Sequence, residues 1–227
     1  MRPVHRGDCP TNSAGKAVIF EEYGYARPHL TGRMGDYCSF CEMPVASGLA
    51  VEHIRHKDNN GDLECEWTNF LLACHSCNSY KGTKIDTQAD VDAHLWPHLH
   101  RTFDVFEYRN GIVKLTAIGD PELAKRAEAT EAMVQLKRRP GAGITREQAL
   151  RDSDRRWRKR ELAWDDAIKA REDLRQCDTP QMRAQIVRSA RGTGFWSVWM
   201  TVFEDDTDMR HRFCTEAFVG TAMERVF

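Results

Sequence analysis

Four cysteines in two Cys-x-x-Cys pairs constrain this chain more than any other feature. Cys38 and Cys41 form the first pair and, after 32 intervening residues, Cys74 and Cys77 form the second. Each pair offers two thiolates from one turn of backbone, and two pairs complete the four-sulfur tetrahedron in which zinc sits about 2.3 Å from each ligand. A site closed by four sulfurs has no open coordination position, so the zinc expected here is structural. A redox role for paired cysteines needs a thioredoxin-like setting that the flanking sequence does not supply. His75 lies inside the second pair, but the four sulfurs are the expected ligands. Cys9, Cys65, Cys177 and Cys214 are isolated by spacing and read as small apolar residues.

The chain around these pairs has the make-up of a globular protein, with 41% hydrophobic and 30% charged residues over 227 positions. That length accommodates one large domain or a small one with a sizeable companion. No apolar run approaches the roughly 20 residues that span a bilayer, and the opening MRPVHRGDCP lacks the apolar core of a signal peptide. A cytoplasmic protein with reduced cysteines is therefore expected, which leaves the thiols free for metal. The net charge of −1 gives no overall electrostatic footprint for nucleic acid. The charge is unevenly spread, however: residues 1–120 carry 12 basic and 16 acidic side chains, whereas residues 137–191 carry 16 basic and 9 acidic.

Residues 1 to about 36 read as an arm or short helix, with an amphipathic stretch from Ala17 to Tyr25 ahead of Arg27-Pro28. Two apolar segments, Leu49–Ile54 and Phe70–Ala73, flank a polar Asp58-Asn59-Asn60-Gly61 turn and read as strands. Asn110-Gly111 between alternating segments predicts that Val105–Tyr108 pairs with Ile112–Leu115 as a hairpin. Beyond Asp120-Pro121, residues 122–138 and 145–176 read as helices separated by Pro140-Gly141-Ala142-Gly143, and Thr179-Pro180 starts another. Trp196, Trp199 and Phe203 recur at helical spacing, the pattern of core packing. The fold class expected is α+β, with a metal-bound module at 1–120 and a mainly helical region at 121–227.

Between the cysteine pairs lie Val51-Glu52-His53-Ile54 and Trp67-Thr68-Asn69-Phe70, and the second pair runs into Cys77-Asn78-Ser79-Tyr80-Lys81-Gly82. Taken with the cysteines, this order resembles the HNH, or ββα-metal, endonucleases over about 47 residues. The resemblance implies a metal-dependent endonuclease hydrolysing DNA phosphodiester bonds. His53 is then the general base, a role that suits an imidazole with an ordinary pKa of about 6.5. Glu52 and Asn78 are implied as ligands of a catalytic divalent cation, Mg²⁺ or Mn²⁺, which hard oxygen donors suit. Asn69 is implied to orient His53. The family more often carries Asp where this chain has Glu52. Lys81 and Lys84, near the helix that follows, fit phosphate contacts. His56, His94, His98 and His100 receive no role from the pattern.

A second resemblance extends further. Met1-Arg2-Pro3, the Tyr37–Glu42 block, Leu95-Trp96-Pro97, Phe106-Glu107-Tyr108 and Ser153-Asp154-Arg155-Arg156-Trp157 are similar to the nuclease subunit of Septu-type and retron-associated anti-phage systems. Members of that group often have an acidic residue and an Asn after the Trp-Pro, where this chain has His98-Leu99-His100-Arg101. The resemblance implies an antiviral effector working with an ATPase partner, for which residues 121–227 would be the docking region. Trp157, Leu162, Trp164, Ala167 and Ile168 would supply its apolar contacts. The alternative is a zinc-stabilised module that binds nucleic acid or protein without hydrolysis. Glu52, His53 and Asn78 together weigh against that alternative, since pure binding needs no base beside two hard-metal ligands.

Overall fold

A computed structural model describes residues 1–116, 118–141 and 145–227. Ala142 and Gly143, from the expected helix break, lie outside the described residues. After a 3₁₀ turn at Tyr23–Ala26, helix α1 runs Arg27–Met34 with Pro28 in its first turn, where its missing N–H costs nothing. The amphipathic stretch 17–25 is therefore not itself the helix: ordering begins at its last residues and continues past Arg27-Pro28.

Strands β1 (Ala50–His53) and β2 (Phe70–Ala73) pair antiparallel, with Glu52 opposite Leu71 and His53 opposite Phe70. All four residues of β2 are buried, which is why its sequence, Phe-Leu-Leu-Ala, does not alternate. A two-stranded sheet is marginal without cover. Helix α1 packs against β2, and helix α2 (His75–Lys81) packs against both strands. Cys74 holds extended backbone at the start of α2, and Gly82 ends it at φ +49. Helix α3 (Gln88–Asp92) opens on a capping box between Thr87 and Asp90.

Strands β3 (Phe106–Arg109) and β4 (Ile112–Leu115) form the expected hairpin. Asn110 and Gly111 both have positive φ, as the two-residue turn demands. Gly111 is required twice over, because a Cβ there would sit 2.7 Å from Cα of Glu161. Helix α4 (Pro121–Val134) starts on an Asp120 cap and stops four residues short of the expected end, where Gln135 turns left-handed at φ +49. The segment expected as one helix over 145–176 is two, α5 (Arg146–Arg151) and α6 (Arg156–Gln176). Asp152 and Asp154 cause the break: each carboxylate accepts a backbone N–H two residues on, an alternative to helical bonding. Helices α7 (Pro180–Thr193), α8 (Trp196–Val202) and α9 (Thr207–Arg212) follow.

Trp196, Trp199 and Phe203 are all buried, and Phe103 meets Trp196 edge-on at 4.9 Å between ring centroids. Helix α8 lies on β3 and α6, and α4 lies on α2. One apolar cluster thus runs from Met1 to Val226 across residue 120. The main chain crosses it too, since Val4 bridges Thr221. The sequence changes character near residue 120, but the two regions share a core. No helix among the described residues is long and apolar enough to cross a membrane.

Candidate active site and metal centre

The four sulfurs of Cys38, Cys41, Cys74 and Cys77 lie within 4.8 Å of one another, and all four residues are buried. Cys41 and Cys74 sulfurs are 3.7 Å apart. A tetrahedron with bonds of about 2.3 Å has edges of about 3.8 Å, so the four sulfurs are grouped closely enough to fit a zinc ion. The electrostatics agree. Burial pushes the thiols of Cys41 and Cys77 well above their ordinary range, while hydrogen bonds from Cys38, Cys41 and Cys77 pull Cys74 down. One thiolate steadied by its neighbours' protons is the pattern of a cluster whose protons a dication can replace. His75 is exposed and outside this set.

Two buried arginines of α6 face the same sulfurs. Arg156 Nη1 donates to Cys77 Sγ at 3.0 Å and to the Val134 carbonyl at 2.9 Å, and its Nε and Nη2 donate to Asp154. Burial works against its charge, but Asp154, Cys77 and Cys41 outweigh it and raise its pKa. One turn later Arg160 is also buried, and burial lowers its pKa against the pull of Tyr108 and Cys41. In the sequence Arg156 is one of two basic residues in the Ser153–Trp157 block. It stands beside a sulfur of the four-cysteine cluster, and no local spacing rule could have indicated it.

His53 ends β1 and is 8% exposed. Its Nε2 lies 2.8 Å from the Glu64 carbonyl. A carbonyl can only accept, so the proton sits on Nε2 and Nδ1 keeps the lone pair. Tyr23 and Phe70 meet the ring edge-on, at 4.9 and 5.4 Å. Burial lowers the pKa of His53, with Lys57 and Lys81 adding to the effect against the Glu64 carbonyl. The imidazole is thus held neutral, with one nitrogen free to take a proton.

Glu52, the preceding residue, is 6% exposed and turns toward α2, where Lys81 Nζ lies 2.9 Å from its Oε1. The contact is close but not aligned, and Nζ has no hydrogen-bond acceptor among the described residues. Burial raises the Glu52 pKa; Lys81 and, less strongly, His56 pull it back. Asn78 stands one turn before Lys81 on α2, on the same face by helical period, and its carboxamide has no partner among the described residues. Lys81 thus joins Glu52 of β1 to the helix that also carries Asn78.

Two expectations are corrected by this geometry. Lys81 is not a surface phosphate ligand: it is fully buried, because the i, i+3, i+4, i+7 face through Cys74, Cys77 and Asn78 is the one α2 turns inward. Asn69 does not touch His53. Its Oδ1 accepts from Arg55 N at 2.8 Å, and its Nδ2 donates to the carbonyls of Arg55 and Leu63 at 3.0 and 3.3 Å. It ties both ends of the 55–63 loop, next to the Glu64 carbonyl that holds His53, and so acts one step removed. Lys84 is exposed, with Nζ 3.3 Å from the Met133 carbonyl at the end of α4.

The family model described as HNH endonuclease matches residues 38–84. The match takes in both cysteine pairs, both strands of the first sheet and α2. No curated protein and no solved structure matches the chain.

Proposed function

We propose that this chain is a divalent-metal-dependent endonuclease of the ββα-metal type that hydrolyses DNA phosphodiester bonds, with His53 as general base. The observation that carries this reading is the state of His53. Its Nε2–H is fixed on the Glu64 carbonyl and its pKa is lowered, so Nδ1 is the unprotonated acceptor at neutral pH. Water gives its proton to Nδ1 as its oxygen forms the new bond to phosphorus. The P–O bond opposite breaks, the leaving oxygen takes up a proton from solvent, and the imidazolium returns its own proton to solvent.

Glu52 and Asn78 offer oxygen donors on the strand and helix that Lys81 joins, and the unpartnered Asn78 carboxamide with a carboxylate suits a hard cation. A divalent cation there, Mg²⁺ or Mn²⁺, supplies charge neutralisation at the phosphate and the leaving oxygen. Asn69 is a positioning residue that holds the 55–63 loop. Zinc on the four cysteines holds the scaffold. Lys84 remains on the surface as a candidate phosphate contact.

The same reading extends to an anti-phage effector working with an ATPase. It is supported by the similarity of sequence blocks to Septu-type nuclease subunits and by exposed apolar side chains on α6, Leu162 and Ile168 at 41% and 43% exposure. Ala167, by contrast, is buried and belongs to the core. One observation favours the rival reading of a non-catalytic binding module: Lys81 neutralises Glu52 where a cation ligand is needed. A nicking assay on supercoiled plasmid separates the two. Zinc-loaded protein is tested with Mg²⁺ and with Mn²⁺, alone and with a candidate ATPase. Nicking that His53→Ala abolishes fits the nuclease; binding without nicking under every condition leaves the binding module.

A further inference from the structure

His56 follows β1 in the loop that Asn69 ties down. Its backbone is pinned from two sides: its N–H donates to the Ile85 carbonyl at 2.7 Å, and its carbonyl accepts from Asn60 Nδ2 at 2.8 Å. Asn60 is itself buried and bonded to Asp86. Ile85 lies just past the end of α2, so the loop sets His56 against the same end of the helix that carries Lys81.

The imidazole is directed rather than loose. Its Nε2 lies 3.7 Å from Asp58 Oδ2, on the solvent side, and the side chain is only 20% exposed. A carboxylate beside Nε2 favours the tautomer with the proton there, which leaves the Nδ1 lone pair facing inward. Nδ1 is fully shielded from solvent and meets no hydrogen-bond partner among the described residues. Glu52 lies four residues before His56, with its carboxyl turned to Lys81 at the end of the helix that His56 is set against.

His56 Nδ1 is thus a buried atom without a partner among the described residues, set against the end of the helix that carries Asn78 and the Lys81–Glu52 pair. A buried polar atom without a partner costs about 1–3 kcal/mol, so the position of Nδ1 needs a reason. Lys81 balances the charge of Glu52 through Oε1, and Oε2 has no partner among the described residues.

We infer that His56 is a third protein ligand of the divalent cation, through Nδ1, and that the site consequently selects Mn²⁺ or another first-row transition ion over Mg²⁺. This rests on the reading of Glu52 and Asn78 as cation ligands. An imidazole added to two oxygen donors gives a mixed nitrogen–oxygen set, which suits Mn²⁺, Co²⁺ and Ni²⁺, whereas Mg²⁺ prefers oxygen throughout. Asp58 is the outer partner that holds the ring, as a carboxylate does behind many metal-bound histidines.

The test uses zinc-loaded full-length protein titrated with Mn²⁺. Electron paramagnetic resonance reports free Mn²⁺, and its pulsed form reports nitrogen bound directly to the ion. Wild type and His53→Ala should both bind with a nitrogen coupling. His56→Ala should lose the coupling and bind about tenfold or more weakly. His56→Asp should bind without nitrogen coupling and let Mg²⁺ compete better than it does in wild type, a gain that an unfolded variant cannot produce. Wild type binding Mn²⁺ with no nitrogen coupling overturns the inference and leaves the oxygen-ligand site standing. So does a coupling that survives in His56→Ala or disappears in His53→Ala. No Mn²⁺ binding by wild type takes down the cation site at Glu52 and Asn78, and the inference with it.

Discussion

Arg156 donates a hydrogen bond to the sulfur of Cys77 across 79 residues of sequence, so the first turn of α6 is part of the surroundings of the metal centre. Four thiolates around Zn²⁺ carry a net charge of about −2. Arg156 and Arg160 place two positive charges beside it from within the protein.

Arg156→Leu should therefore weaken both the fold and the zinc site. It removes the nearer partner of the buried Asp154 carboxylate and leaves Arg138 at 3.5 Å, and breaking a buried pair on one side typically costs up to about 3–5 kcal/mol. A lower thermal midpoint is expected, with faster zinc transfer to a chelator at neutral pH. Arg156→Lys should recover little, because a point charge cannot serve Cys77, Asp154, Val134 and Gln135 together. Wild-type zinc release from Arg156→Leu would show that the sulfur contact has no bearing on metal retention.

Glu42 makes the companion link, from the first cysteine pair to α8. Its carboxylate accepts from Arg2 N at 2.6 Å, Ser197 N at 2.7 Å and Ser197 Oγ at 2.5 Å, all buried. Glu42→Ala strands these donors at about 1–3 kcal/mol each, whereas Glu42→Gln keeps an acceptor for some of them. Urea midpoints should fall in the order wild type, Gln, Ala. Equal midpoints would mean that α8 is held by apolar contact alone. Deleting residues 121–227 should for the same reason unfold the metal-bound region rather than isolate it, so a partner surface is better probed with Leu162→Asp and Ile168→Asp.

Local signals were legible in the sequence: the cysteine spacing, the Asn110-Gly111 hairpin, the helix starts at Asp120-Pro121 and Thr179-Pro180, and the buried tryptophans of α8. Each depends on neighbours within a few residues. The order Glu-His, Asn, Cys-Cys-Asn also located the strands and helix that gather the candidate site. What the sequence could not show depends on distant partners. Lys81 reads as a surface cation until β1 is seen to place Glu52 beneath it. Asn69 reads as a partner of His53 until the fold of the loop brings Arg55 and Leu63 to it. Arg156, Glu42 and His56 act through residues from another element or the far side of a turn, and tertiary contacts of that kind leave no period in the chain.

His98 should make the protein acid-sensitive. Burial, with Arg6, Arg225 and His100 adding to it, lowers its pKa from the usual 6.5 to about 3. The folded state therefore keeps His98 neutral while the unfolded chain takes up a proton below about 6.5, and stability falls as pH drops from there toward about 3. His98→Leu also removes a buried Nδ1 that has no partner among the described residues. Each pKa unit is worth about 1.4 kcal/mol. The ring is part exposed and the effect is screened accordingly, so the variant should lose about 1–2 kcal/mol less than wild type between pH 7 and 4.5. Parallel urea curves for the two proteins at both pH values would exclude His98 as a source of acid lability.

His53→Ala should abolish cleavage while leaving zinc and fold in place. The residue completes neither the four-sulfur site nor a buried ion pair, and its one hydrogen bond, to the Glu64 carbonyl, leaves behind an acceptor that water can reach once the ring is gone. A general base contributes on the order of 10²–10⁴ in rate, so a loss of that size at unchanged zinc content is the expected result. The pH profile adds a sign. Cleavage needs the neutral imidazole and rises with pH through the pKa of His53, which burial lowers from the ordinary 6.5. The acid limb of the wild-type rate should consequently have its midpoint below about 6.5 and vanish in His53→Ala. Tyr23→Ala opens one side of the ring to water and should shift that limb upward. Glu52→Gln and Asn78→Ala should instead keep the limb and recover part of their rate at high Mn²⁺, because they weaken cation binding and not the base. An acid limb that persists in His53→Ala, or a variant that cuts at the wild-type rate, would move the general base to another residue.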